Sequence, residues 1–175
     1  MTREELISEI RTAFKDVKLE DGVGIWEAQG LDDYADEKTI LELRKKDERD
    51  NWDNIPYKDL AYCYSSLSFF DAKGMKFCLP KYLIFDILSE QLAKEQGIYA
   101  PDILFTLGYK LDEEYQKTRF SLFDHRQIQT VIHYLEFILE ETIAMHKANA
   151  DTAIDSDYFY VEINRTLNEW KQKLN

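Results

Sequence analysis

Apolar residues in this chain recur mostly at the three- and four-residue spacing of a helix face, in stretches bounded by caps and stops. Leu6, Ile7, Ile10 and Phe14 form the first stripe. Ahead of it, Thr2-Arg3-Glu4-Glu5 has the spacing in which a hydroxyl and a carboxylate satisfy each other's free amides. A helix from Arg3 to Lys15 is predicted. Asp21 to Gly24 reads as a turn, and Ile25, Trp26, Leu31 and Tyr34 as a short helix interrupted near Gly30. Strong helix formers with Ile40, Leu41 and Leu43 predict a further helix over Glu37 to Glu48. The run Asn51 to Pro56 breaks the pattern, and Pro56 suits the first turn of another helix carrying Leu60, Ala61 and Tyr64.

The pattern changes at Tyr62 to Leu83, where two dense aromatic runs flank Asp71-Ala72-Lys73-Gly74. Aspartate first and glycine last is good turn chemistry, so a short β-hairpin is expected over about residues 67–79. Two strands alone are marginal in water and must lean on helices. Pro80 is then read as opening a helix to Gln96, with Gly97 as its stop. Leu79 cannot cap it, so its first amides need acceptors from elsewhere. Pro101-Asp102 starts a brief helix ending at Gly108, and the tract Tyr109 to Phe123 is ambiguous. Asp124 and Gln127 again have capping-box spacing, and Ile128, Val131, Ile132, Leu135, Ile138, Leu139 and Ile143 come next on one stripe. Tyr160, Ile163, Leu167 and Trp170 predict a terminal amphipathic helix over Tyr158 to Leu174. The expected fold is mainly α, a compact multi-helix single domain with one short hairpin. The spacing does not specify whether the terminal helix packs on its own domain or on a second copy.

Composition supports this reading. With 175 residues, 45% of them apolar and only nine Gly and Pro (six and three), the chain fits one domain with too little punctuation for a β-sandwich. The formal charge is −12, from 34 acidic and 22 basic residues. Five carboxylates and no base lie in Glu27 to Glu37, and four and none in Asp151 to Glu162. Such a surface repels phosphate backbones, which excludes nucleic acid as the expected partner. It suits a basic protein partner, because opposite fields speed encounter. The start, MTREELISEI, is charged and builds no apolar run of signal or membrane length. A cytoplasmic protein without membrane contact is expected, and Cys63 and Cys78 are then read as two buried thiols rather than a disulfide.

Three motif blocks carry a family resemblance. They are Asn51-Trp52-x-x-Ile55-Pro56-x-x-x-Leu60, then Leu67-Ser68-Phe69-Phe70-x-x-x-Gly74-x-Lys76-Phe77-x-Leu79-Pro80-x-Tyr82, and Phe120-x-Leu122-x-x-x-x-x-Gln129. This combination resembles a family of small bacterial proteins known only as a domain of unknown function. The resemblance covers about residues 5 to 140, within a family-like core of 1–145, and leaves residues 152–174 as an additional helix. It implies bacterial origin and a compact helical fold, and it carries no catalytic residues across.

The usual catalytic equipment is thin. A nucleophilic Cys78 would need a base or positive surroundings, and Phe77 and Leu79 beside it indicate packing. His133, Glu136 and Glu140 share one flank of a helix and could hold a metal, but one helix seldom supplies three ligands alone. His125 and His146 sit near helix ends. No phosphate loop or nucleophile elbow occurs. No catalytic residue and no cofactor are therefore expected. An anion site at an open helix start, with Lys76, Pro80, Lys81 and Tyr82, is one candidate. The other is a partner-binding stretch of Trp26, Glu27, Asp32, Asp33, Tyr34, Asp36 and Glu37, where aromatic rings sit among carboxylates. The leading expectation is a non-enzymatic protein-binding module, an immunity or antitoxin-like neutraliser of a basic effector. A small metal-dependent or thiol hydrolase and a small-anion sensor are the alternatives.

Overall fold

The computed structural model describes residues 1–149 and 153–174. Asp151 and Thr152, which belong to the second acidic tract and to the start of the expected additional segment, lie outside the described residues. Among the described residues there are ten α-helices: α1 (Arg3–Ala13), α2 (Ile25–Asp32), α3 (Glu37–Arg44), α4 (Tyr57–Tyr62), α5 (Ala72–Ile87), α6 (Ser89–Gln96), α7 (Ile103–Gly108), α8 (Glu114–Arg119), α9 (His125–Asn149) and α10 (Tyr158–Gln172). Short 3-10 turns occur at Trp52–Asn54, Ser66–Ser68 and Ile154–Ser156. No helix among these residues is long and apolar enough to cross a membrane.

The expected hairpin is absent, and no strand occurs among the described residues. Residues 67–79 instead contain most of a 3-10 turn and the first half of α5. The Asp71 carboxylate accepts the Gly74 amide at 2.7 Å. An aspartate makes that short-range bond both in a β-turn and at a helix N-cap, so the environment of the residues after Gly74 decides between them. Here Met75, Phe77, Cys78, Leu79, Tyr82, Leu83, Ile84, Phe85 and Ile87 are all buried. Buried on nearly every side, α5 has no polar face, so the 3.6-residue alternation that marks a surface helix is missing. Pro80 stands midway along α5 and does not open it. Its missing amide and ring clash cost about 3 kcal/mol in a helix interior, which the burial on both sides of it outweighs. At Leu88, still half-buried against the core, α5 gives way to α6, and Glu90 is the first exposed residue after it.

The other helices are arranged around α5. Helix α1 packs on α5 and α9, α10 on α9 and α7, and α7 and α8 touch α5. Both capping boxes form: Thr2 and Glu5 exchange bonds of 2.8 and 3.2 Å, and Asp124 and Gln127 of 3.1 and 2.9 Å. Gly97 ends α6 with φ +66°. The ambiguous tract after Gly108 contains α8, whose Arg119 is buried and donates to Gln116 Oε1 and to the Leu67 carbonyl, tying α8 to the Ser66–Ser68 turn. Helix α2 runs through Gly30 without interruption, with Leu43 of α3 lying against that glycine.

Helix α10 packs within its own chain. Trp170 is fully buried, meets Phe120 edge to face at 5.0 Å, and donates its indole N–H to the Leu107 carbonyl at 2.9 Å. The terminal helix therefore completes the core.

Gly74 provides a sharp test of this arrangement. A Cβ there would drive into the Val23 carbonyl oxygen, which is backbone and cannot swing aside. Gly74→Ala, which in an open helix would stabilise by up to about 1 kcal/mol, is expected to destabilise by about 2 kcal/mol in urea unfolding.

Candidate functional site

The α2–α3 corner is assembled from its first amides outward. Gly24 precedes α2 and has no side chain to cap it, yet α2 needs acceptors for its free N–H groups. Asp47, beyond α3, supplies them. Its carboxylate accepts the Trp26 amide at 2.8 Å and the Glu27 amide at 3.4 Å, and a Cβ on Gly24 would occupy the place of that carboxylate. Asp47 is buried. Burial pushes its carboxyl up from 3.8 to about 6, against the two amides that favour the ion and with Glu27 adding repulsion.

Two arginines fasten the loop before α2. Arg44 pairs with Glu27 and donates to the carbonyls of Asp21 and Gly22 at 2.7 and 3.3 Å. Arg49 donates to the Glu20 carbonyl at 3.0 Å and to that of Gly22 at 3.2 Å. An open groove of about 870 Å³ lies over this loop and the outer side of α3, lined by Leu41 and by acids and bases in equal number, Lys38 and Lys45 standing beside Glu37 and Glu42.

At the far end of α2 the chain turns through a Schellman motif, with Ala35 N bonded to the Gly30 carbonyl at 3.0 Å and Tyr34 N to that of Leu31 at 3.2 Å. The left-handed position of this motif usually holds glycine. Here it holds Tyr34, at φ +54° and 96% exposed. Around it, Asp33, Asp36 and Glu37 are exposed and Asp32 is half-buried. Asp36 caps α3 through the Thr39 amide at 2.7 Å, and that bond holds its carboxyl below the ordinary value.

The predicted partner-binding residues thus divide. Tyr34 stands in solvent with Asp32, Asp33, Asp36 and Glu37. Trp26 is half-buried against the core, its ring 5.4 Å from Tyr62 and 4.9 Å from Lys46 Nζ, and Glu27 is held by Arg44. Pattern reading missed Asp47 and Tyr62. The signal for Asp47 was present: an uncapped helix start does call for a distant acceptor, but the helix in need was α2, after Gly24.

The anion candidates lose their geometric basis, because no helix begins at Pro80. Pro80 and Tyr82 are buried within α5. Lys76 donates to the Leu122 carbonyl at 2.7 Å. Buried Lys81 donates to the Asp53 carbonyl at 2.6 Å and to its carboxylate at 3.0 Å, beside the Tyr57 ring. Burial opposes ionisation of Asp53, yet Lys81 and Arg11 together hold its carboxyl below the ordinary value.

His133 turns to α1, where Nδ1 lies 2.9 Å from Glu9, while Nε2 lies 3.0 Å from Gln129. Glu136 pairs with Lys171 at 2.8 Å, and Glu140 is exposed. Among the described residues no three His, Cys, Asp or Glu groups converge as metal ligands do. Cys63 and Cys78 are free and buried. Burial, with nearby carboxylates, pushes the Cys63 thiol up to about 12 and Cys78 well above its ordinary value.

Comparison with known proteins agrees with the family resemblance. A family model described as "Family of unknown function (DUF6714)" matches residues 2–163, and the chain belongs to that family. The match reaches beyond the motif residues into the first turns of α10. No curated protein and no solved structure matches the chain.

The corner leads to two measurable outcomes. The folded Asp47 carboxyl titrates above its unfolded value, so its contribution is fully present below about pH 4 and is lost as pH rises through about 6. That interval corresponds to an effect on the order of 3 kcal/mol at most. Urea unfolding between pH 4 and 7 should therefore show wild type losing stability relative to Asp47→Asn as pH rises, and a constant difference would refute the assignment. Tyr34→Gly relieves a left-handed residue that packs on almost nothing, and is expected to raise stability by about 1 kcal/mol.

Proposed function

We propose that the protein is a non-enzymatic binding module that recognises a basic protein through the α2–α3 corner. In this reading it acts as an immunity or antitoxin-like neutraliser of a basic effector in a bacterial cytoplasm. The observation that carries the proposal is Tyr34. A large ring is held almost entirely in water, on a backbone conformation that costs folding energy, amid four carboxylates. Strain of this kind concentrates where proteins bind or switch, and tyrosine is a favoured interface anchor. The carboxylates and the net charge of −12 supply the steering field for a basic partner. The groove beside α3 adds concave surface and shares Glu37 with this acidic stretch.

Affinity capture with immobilised wild type, Tyr34→Gly and Tyr99→Ala tests the reading, since Tyr99 is a comparably exposed ring at 72%. Wild type and Tyr99→Ala should recover one basic protein in stoichiometric amount at low salt and less at moderate salt. Tyr34→Gly should bind it about thirty-fold more weakly while being no less stable. Equal capture by Tyr34→Gly, or no stoichiometric partner at either salt, would overturn the proposal.

A further inference from the structure

A second group of exposed rings lies where α7 meets the start of α10. Phe105 and Tyr109 stack with centroids 4.8 Å apart, and Tyr158 and Phe159 meet edge to face at 5.8 Å. Each of the four keeps about half or more of its surface in water, from 47% for Tyr109 to 70% for Tyr158. Between them is a cleft of about 160 Å³ with Gly108 on its wall and the carboxylates of Asp102 and Glu162 beside the rings. Among the described residues, the cation on its lining is Arg165, which is already committed. It donates to the Gly108 carbonyl at 3.0 Å, to Glu169 at 2.9 Å and to Glu162 at 2.8 Å. The lining thus holds two acids, Asp102 and Glu162, against one base, a formal −1, and Lys110 Nζ approaches the Tyr109 ring from outside at 5.5 Å.

Each of these features selects for charge and size. Ring faces carry negative potential and hold cations, most strongly where water is partly excluded. The one surplus carboxylate favours a cation over an anion. The volume is well below the roughly 300–1,000 Å³ of pockets for drug-sized ligands, so it admits one head group and no nucleotide. We propose that this cleft binds an organic cation of head-group size, a guanidinium or an alkylated ammonium, between the aromatic rings and the two rim carboxylates. The site is separate from the α2–α3 corner and does not depend on the function proposed there.

Calorimetric titration of the full chain with tetramethylammonium chloride, N-acetyl-arginine amide and the uncharged neopentyl alcohol, at matched ionic strength, tests the assignment. Wild type should bind at least one of the two cations saturably and the alcohol not measurably. Tighter binding of the arginine derivative would mark a polypeptide side chain as the source, and tighter binding of tetramethylammonium a free alkylammonium. Phe159→Ala should weaken the cation about tenfold, Glu162→Gln should weaken it several-fold, and Tyr34→Gly should leave it unchanged. Phe159→Leu keeps apolar bulk without a ring face, so it should weaken the cation to a similar degree at an unaltered melting temperature. Absence of saturable binding by either cation, equal binding of the alcohol, or undiminished binding in Phe159→Leu would overturn the proposal.

Discussion

The bond between the Asp71 carboxylate and two amides that come from different parts of the chain anchors this structure. One amide, Gly74 N at 2.7 Å, belongs to the first turn of α5; the other, Val23 N at 3.1 Å, belongs to the loop leading to α2. A single carboxylate therefore starts the central helix and fixes the loop beside it. The contact requires glycine at 74, because the Val23 carbonyl lies where a side chain would begin. Lys73, next to the cap, reinforces the same junction through Glu20 and Asp21 at 2.6 and 2.5 Å. Those pairs are exposed and contribute little by themselves. The bonds from carboxylate to backbone decide the geometry.

The α2–α3 corner inherits its position from this junction. With Val23 held, Gly24 lies against Asp47, and α2 begins where that carboxylate can accept its amides. Arg44 and Arg49 then close over the carbonyls of residues 20–22. The result is a rigid base carrying an exposed, left-handed Tyr34 at the other end of α2. Rigidity matters for recognition, since a pre-ordered anchor loses less conformational entropy on binding than a mobile one. The buried Asp47 carboxylate is a costly way to cap a helix at neutral pH, because desolvation outweighs two amide bonds. It ties the order of α2 to the segment after α3.

Surface helices were legible in the sequence, and the central one was not. The stripes of α1, α9 and α10 and the boxes Thr2–Glu5 and Asp124–Gln127 specify local structure through local bonds, so pattern and outcome agree. Helix α5 failed the same reading because burial on all sides erases amphipathic alternation, and because Pro80 and the Asp71–Gly74 spacing have two meanings that only tertiary contacts separate. For the corner, Tyr34 and its carboxylates are contiguous in sequence and could be named. Trp26 was named with them but is half-buried against the core and against the ring of exposed Tyr62, a partner outside its helix that no local spacing shows. Asp47 and the α7–α10 cleft stayed hidden for the same reason, since each joins residues far apart in the chain.

The distribution of negative charge bears on both proposed surfaces. An acidic excess used only for solubility would be as useful beside lysines as beside rings. In this fold several of the basic groups are spent on internal carbonyls: Arg44 and Arg49 on the 20–22 loop, Lys76 on Leu122, Lys81 on Asp53, Arg119 on Leu67 and Arg165 on Gly108. Each such bond orders backbone, and Arg44, Lys81 and Arg165 at the same time pair with Glu27, Asp53 and the Glu162 and Glu169 carboxylates. The carboxylates of Asp32, Asp33, Asp36 and Glu37, by contrast, flank Tyr34 in sequence with no base among them. Where aromatic rings and an excess of carboxylates coincide, attraction for cations comes from both the ring faces and the carboxylate charges. The Tyr34 stretch and the α7–α10 cleft each combine exposed rings with more carboxylates than bases, which is the combination a positive partner requires.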